Sequence, residues 1–98
     1  MSLRPGFSII IPTFNRAFCI CEAVDSVLMQ NYPDFELIVI DDGSSDGTDM
    51  LLKERYGAEM ACGRLKYLQS GHEGVSAARN KGLRAATREW AGYLDTDN

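Results

Sequence analysis

Residues 35–47 read FELIVIDDGSSDG, and this stretch decides the fold. From Phe35 to Ile40 it is apolar except for Glu36 and rich in β-branched side chains. A run this short predicts a strand buried on both faces, not a helix. It passes directly into Asp41 and Asp42 and then a polar loop, Gly43-Ser44-Ser45-Asp46-Gly47. Strands covered on both faces belong to parallel sheets clad by helices.

Working outward, residues 7–12 (FSIIIP) form a second apolar strand, ended by Pro12. Residues 17–30 carry Phe18, Cys21, Val24, Val27 and Leu28 at helical spacing. Residues 31–34 (NYPD) are a turn. Ser45 or Asp46 is placed to cap a helix over 48–56. Residues 57–63 are a connection, and 65–69 (LKYLQ) are a third, less apolar strand nearer an edge. A loop at 71–74 leads into an Ala-rich helix over 75–87, in which Gly82 is a weak point. Residues 90–94 (WAGYL) are a fourth strand, with Trp90 and Tyr93 as core residues. The predicted fold is α/β: a mainly parallel four-stranded sheet, helices on both faces, right-handed crossovers.

The 98 residues hold 10 Lys plus Arg against 14 Asp plus Glu, a formal charge of −4. With 45% hydrophobic residues this is an ordinary globular composition, enough for one domain with a modest core. The acidic balance argues against nucleic acid as a partner. No run approaches the roughly 20 apolar residues of a membrane helix. MSLRPG lacks the apolar segment of a secretory signal, so a cytoplasmic chain is expected. Residues 1–6 read as a tail that begins with an expression scar, Met1-Ser2-Leu3. Cys19, Cys21 and Cys62 are odd in number and lack CxxC spacing, so they read as small apolar residues.

In a parallel sheet the carboxyl ends of the strands share one rim, and ligands of open α/β folds bind there. The predicted rim holds Pro12, Thr13, Phe14, Asn15 and Arg16 after strand one, and Asp41 and Asp42 after strand two. After strand four it holds Asp95, Asp97 and Asn98. Four carboxylates at one rim repel and raise each other's pKa unless a cation joins them. A hard divalent ion with oxygen ligands resolves this, whereas solvated loop aspartates are the ordinary alternative. Arg16 and Arg79 are candidates to meet a diphosphate, Arg79 the better placed. His72 reads as a solvated loop residue. Phe14 is placed either to stack on a base or to pack on the neighbouring helix.

Other phosphate and metal motifs fail. There is neither a P-loop nor a G-x-G-x-x-G turn. Residues 42–47 match half an EF-hand loop, but Lys53 stands where a bidentate Glu is needed. A phospho-receiver reading needs a Lys after a later strand, and none follows Asp95.

The segments FSIIIPTFNR, FELIVIDDGSSDGT, GVSAARNKGL and YLDTDN, in this order and spacing, resemble the start of a family-2 glycosyltransferase of the GT-A fold, a Rossmann-like architecture. The resemblance covers residues 7–98. It implies an inverting transferase that moves a sugar from a nucleotide diphosphate-sugar, UDP favoured, to a glycan, lipid-linked or protein acceptor. It implies that Pro12, Thr13 and Phe14 line the nucleoside pocket and that Asp42, beside Asp41, bonds the base. It carries the diphosphate contact to Arg79, the ribose mainly to Asp95, and Mg2+ or Mn2+ mainly to Asp97 with Asp95. Where the family commonly has a further Asp, this chain has Asn98.

Family members continue past the D-x-D motif, where the acceptor site and the catalytic base lie. The chain is therefore expected to be a donor-binding part, inactive alone, with membrane attachment only through a later segment. An open sheet edge at strand four or one is expected to make it self-associate. The alternative is a non-catalytic nucleotide-binding or interaction module derived from such an enzyme.

Overall fold

The computed structural model describes residues 6–30 and 34–94. The elements alternate: β1 (Phe7–Thr13), α1 (Ala17–Leu28), β2 (Phe35–Asp41), α2 (Thr48–Ala61), β3 (Leu65–Gln69), α3 (Val75–Ala85) and β4 (Trp90–Tyr93). The four strands form one sheet in the order β3-β2-β1-β4, every pair parallel. Ile9 registers with Leu37 on β2 and with Gly92 on β4.

All seven residues of β2 are buried, as its unbroken apolar run requires. Alternate side chains serve opposite layers. Ile11, Leu37 and Val39 pack with Ile20 and Val24 of α1 and Leu52 and Tyr56 of α2. Ile10, Ile38 and Ile40 meet Ala78 of α3 on the other face. Gly82 is a close approach: a Cβ there would lie 2.5 Å from Ile10 Cγ2. Its missing side chain sets the distance between α3 and the sheet.

The boundaries differ from expectation for visible reasons. Helix α2 runs on to Ala61, through a kink at Tyr56 (φ −121°, ψ 28°). The buried Tyr56 hydroxyl donates to Asp25 Oδ1 at 2.6 Å on α1, so the kinked turn is held by tertiary packing. Helix α3 ends at Ala85 because the Thr87 N–H turns to Glu36 Oε2, 2.7 Å away. Trp90 and Tyr93 are not core residues. They are 57% and 46% exposed because β4 lies at the sheet edge. Strands β1 and β2 occupy the centre, so the open edges are β3 and β4 and not β1. Cys62 is exposed just past the end of α2, while Cys19 and Cys21 are half-buried. Among the described residues no helix is long and apolar enough to cross a membrane.

Candidate functional site

Helices α1 and α2 cover one face and α3 the other. The connections after the adjacent strands β2 and β3 therefore leave over opposite faces, and ligands of open α/β sheets bind in the crevice at the carboxyl ends of strands that part in this way. The loops after β1, β2 and β3 meet there. Asp42 N donates to Thr13 O at 2.9 Å, and Ser70 N donates to Asp41 O at 2.8 Å.

Backbone–side-chain bonds then lace the first two loops. Asn15, with a left-handed φ of 51°, donates its N–H to Ser44 Oγ at 2.7 Å. Asn15 Oδ1 accepts the Ser45 N–H at 2.8 Å. Asp46 Oδ2 accepts the Ala17 N–H at 2.9 Å, the first residue of α1. Asp46 Oδ1 accepts the Thr48 hydroxyl at 2.5 Å and the Thr48 N–H at 3.3 Å, at the start of α2. The N-cap residue of α2 is Gly47, not Ser45 or Asp46, but Asp46, one residue before it, accepts the first N–H of both helices. These bonds, the Thr48 hydroxyl foremost, hold its carboxyl below the usual range.

Both buried aspartates accept hydrogen bonds from within the chain on each of their oxygens. Asp41 Oδ1 accepts the Ser44 N–H at 2.8 Å, and its Oδ2 accepts the Tyr67 hydroxyl at 2.5 Å. Burial, and then the bond to Asp41, push the Tyr67 phenol well above its ordinary range. Asp42 Oδ1 accepts the Ser70 hydroxyl at 2.6 Å and the Glu73 N–H at 2.8 Å. Its Oδ2 accepts the Gly74 N–H at 2.9 Å, so the carboxylate folds the β3–α3 loop around itself. Burial alone would raise the Asp42 pKa. The bonds from Ser70, Glu73 and Gly74, with the nearby His72, outweigh it and hold the carboxyl below the usual range.

For Asp42 alone this departs from the expectation that crowded rim carboxylates raise one another unless a cation joins them, because Asp95 and Asp97 of that cluster lie outside the described residues. Here protein donors do the work, as hydrogen bonds to the charged form lower a carboxyl's pKa. Three of the roughly four lone-pair positions of Asp42 are used, which leaves Oδ2 room for one more donor.

Thr13 is 4% exposed, and its Oγ1 has no hydrogen-bond partner among the described residues. Phe14 is 40% exposed, and its ring lies against that of His72. Pro12 is buried at the same end of β1. The guanidinium of Arg79 lies 5.4 Å from the centre of the Tyr93 ring, so α3 carries it toward β4. Arg16 instead lies over Phe18, 5.6 Å from its ring centre. Asp95, Asp97 and Asn98, the metal and ribose candidates, lie outside the described residues. Among the described residues no three His, Cys, Asp or Glu side chains converge as a metal would need.

Sequence reasoning missed Glu36, Tyr67, Ser70 and the contact made by His72. Glu36 was legible as the one charge in an otherwise apolar strand. The others sit in polar segments with no distinguishing pattern. An apolar cavity lined by Phe7, Ile9, Val27, Gln30 and Phe35 lies at the opposite, amino-terminal ends of β1 and β2, away from this crevice.

The chain is 37% identical over 95 residues to an uncharacterized glycosyltransferase of Rickettsia felis, covering 93% of this chain and 14% of that protein. Among solved structures it matches the mannosyltransferase PcManGT of Pyrobaculum calidifontis, in complex with GDP-Man and Mn2+. The TM-score there is 0.86 and the identity 32%, over 98% of this chain and 28% of that one. S. aureus TarS in complex with UDP matches with a TM-score of 0.78 and 34% identity, over 94% of this chain and 27% of that one. The chain thus spans less than a third of each of these proteins. The parallel sheet with helices on both faces is the Rossmann-like core that these GT-A enzymes share. The family model for glycosyl transferase family 2 matches residues 8–98, and to that family the chain belongs.

Proposed function

We propose that the chain is the donor-binding part of an inverting, metal-assisted glycosyltransferase that uses a nucleotide diphosphate-sugar. The observation that carries this reading is the crevice at the ends of β1 and β2. There a buried hydroxyl without a partner, Thr13 Oγ1, lies beside an ionised Asp42 with one acceptor position to spare. Pro12, Thr13 and Phe14 line the nucleoside site. Asp42 accepts the imide N–H of uracil, which favours UDP, while Asp41 holds the loop through Ser44 and Tyr67. The complexes of PcManGT with GDP-Man and of TarS with UDP support a nucleotide-bound donor as the ligand class.

Arg79 meets the diphosphate, as a fixed guanidinium suits phosphate oxygens. Membership of the family supports assigning Mg2+ or Mn2+ mainly to Asp97 with Asp95, Asp95 also serving the ribose, and carboxylate oxygens suit such an ion. A divalent ion held there would neutralise the leaving diphosphate. The acceptor, a glycan, lipid-linked molecule or protein, and the catalytic base belong to a part of the enzyme beyond this chain. The chain alone is therefore inactive. The enzyme works in the cytoplasm, and any membrane attachment comes through that other part.

Calorimetric titration with UDP and GDP, with and without Mn2+, tests the reading. Metal-dependent binding that is lost in Asp97→Ala is expected. Absence of binding by every nucleotide would sink it.

A further inference from the structure

We propose that His72 is a nucleobase-contacting residue, forming with Phe14 a shallow aromatic corner beside Asp42. This rests on the donor-site reading above and adds a residue to it. The two ring centres are 4.5 Å apart with planes tilted by 33°. His72 Nδ1 lies 3.3 Å from Asp42 O and 3.9 Å from Asp42 Oδ2. The four residues close a circuit. Thr13 and Phe14 are consecutive, Phe14 touches His72, His72 bonds Asp42, and Asp42 N bonds Thr13 O.

The backbone is shaped for this contact. His72 has a left-handed φ of 58°, uncommon for a residue with a Cβ. Across from it Gly43 also has positive φ, 91°, and a Cβ there would lie 3.4 Å from His72 Cβ. The two loops approach closely because position 43 has no side chain. Yet the His72 side chain, once placed, stays 67% exposed, and Phe14 40%. Two aromatic faces are thus held at the surface beside a buried hydroxyl that lacks a partner and a carboxylate with a spare lone pair. A nucleobase complements this set, with a flat face for the rings and an edge for the polar atoms. Nδ1 lies within hydrogen-bond reach of the Asp42 carbonyl, and Nε2 is the ring nitrogen left to meet a polar atom of a base or a ribose hydroxyl.

The test compares the chain with its His72→Asn and His72→Phe variants, titrated by calorimetry with uridine, UDP, and inorganic pyrophosphate plus Mn2+. Asn tolerates the left-handed backbone but removes the ring. Phe keeps the ring and loses the polar atoms. His72→Asn is expected to weaken uridine and UDP about tenfold, the scale of one lost base stack, and to leave pyrophosphate unchanged. His72→Phe is expected to retain most of the nucleoside affinity. Wild-type nucleotide binding that His72→Asn leaves intact overturns the role of His72 alone. So does a loss shared equally by pyrophosphate, or an equal loss in both variants. A wild-type chain that binds no nucleotide overturns the donor-site reading and this inference with it.

Discussion

The Asp46 carboxylate accepts the Ala17 N–H at 2.9 Å, so a side chain after β2 starts the helix after β1. Its other oxygen accepts the hydroxyl of Thr48, a fully buried residue at the start of α2. Asp46→Ala removes both caps and strands the Thr48 hydroxyl. A lost cap costs about 1 kcal/mol and an unsatisfied buried group about 1–3 kcal/mol. Urea denaturation is expected to show a loss of about 3–5 kcal/mol with an unchanged slope. A loss under about 0.5 kcal/mol, the range of an ordinary surface substitution, would remove the capping role.

Asp42 acts on the third loop in the same way, through Ser70, Glu73 and Gly74. Asp42→Ala leaves three donors without their shared acceptor. The amides of Glu73 and Gly74 are expected to exchange with solvent at least tenfold faster, and nucleotide affinity is expected to fall with them. Unchanged exchange at both amides would mean that the loop holds its shape without the carboxylate.

The fold was legible because the strands carry their own signal. FSIIIP and FELIVI are apolar throughout, and that is the pattern of parallel strands under two helical layers. The site was legible only as an address. Asp41, Asp42 and Thr13 follow from where those strands stop. What those residues bond was not legible, because Tyr67, Ser70, Glu73 and Gly74 come from residues 26–32 positions away. The same limit explains Trp90 and Tyr93. Aromatic residues in a short strand pattern read as core, and only the strand order puts β4 at an edge.

Glu36 gives the chain an acid-sensitive joint. This buried carboxylate accepts Ser8 Oγ at 2.7 Å and the Thr87 N–H and hydroxyl at 2.7 and 2.9 Å, and it pairs with Lys66 Nζ at 2.8 Å. Burial alone would raise its pKa. Lys66, Ser8 and Thr87 together outweigh that and hold it at about 2, against an ordinary 4.5. The folded pKa is depressed, so its stabilisation is fully present above about pH 4.5 and is lost as pH falls toward about 2. That difference is worth about 3 kcal/mol by proton linkage. Glu36→Gln is expected to be less stable at pH 7 and to show a much flatter stability profile between pH 5 and about 2. An equally steep acid limb in Glu36→Gln would assign the acid sensitivity to other carboxylates.

Gly82 looks like a flaw in a helix and is a packing requirement. Helix propensity alone favours Gly82→Ala by about 1 kcal/mol. The added Cβ would lie 2.5 Å from Ile10 Cγ2 and 3.1 Å from Ile10 Cγ1, at the fully buried centre of β1. Overpacking of this kind costs about 1–3 kcal/mol, so the clash outweighs the propensity. Thermal melting is expected at a lower temperature in Gly82→Ala, with partial rescue by a second change, Ile10→Val. A higher melting temperature in the single variant would show that α3 can shift away from the sheet without cost.

The exposed edge of β4 argues for self-association of this chain. Trp90 and Tyr93 stand half in solvent on a strand paired on one side only. The N–H groups of Trp90 and Leu94 bond to Gly6 O and Ile10 O. By strand alternation the N–H groups of Ala91 and Tyr93 face the open side. An edge with unpaired N–H groups and aromatic side chains recruits another strand. Light scattering is expected to give a mass above the monomer's 10.9 kDa at high concentration. Ala91→Pro removes one outward donor and leaves the bonds to β1 intact, as proline on an edge strand allows. It is expected to lower the apparent mass without lowering the melting temperature by more than a few degrees. A wild-type chain that stays monomeric at high concentration would sink the argument. Association that Ala91→Pro leaves unchanged would move it from β4 to another surface.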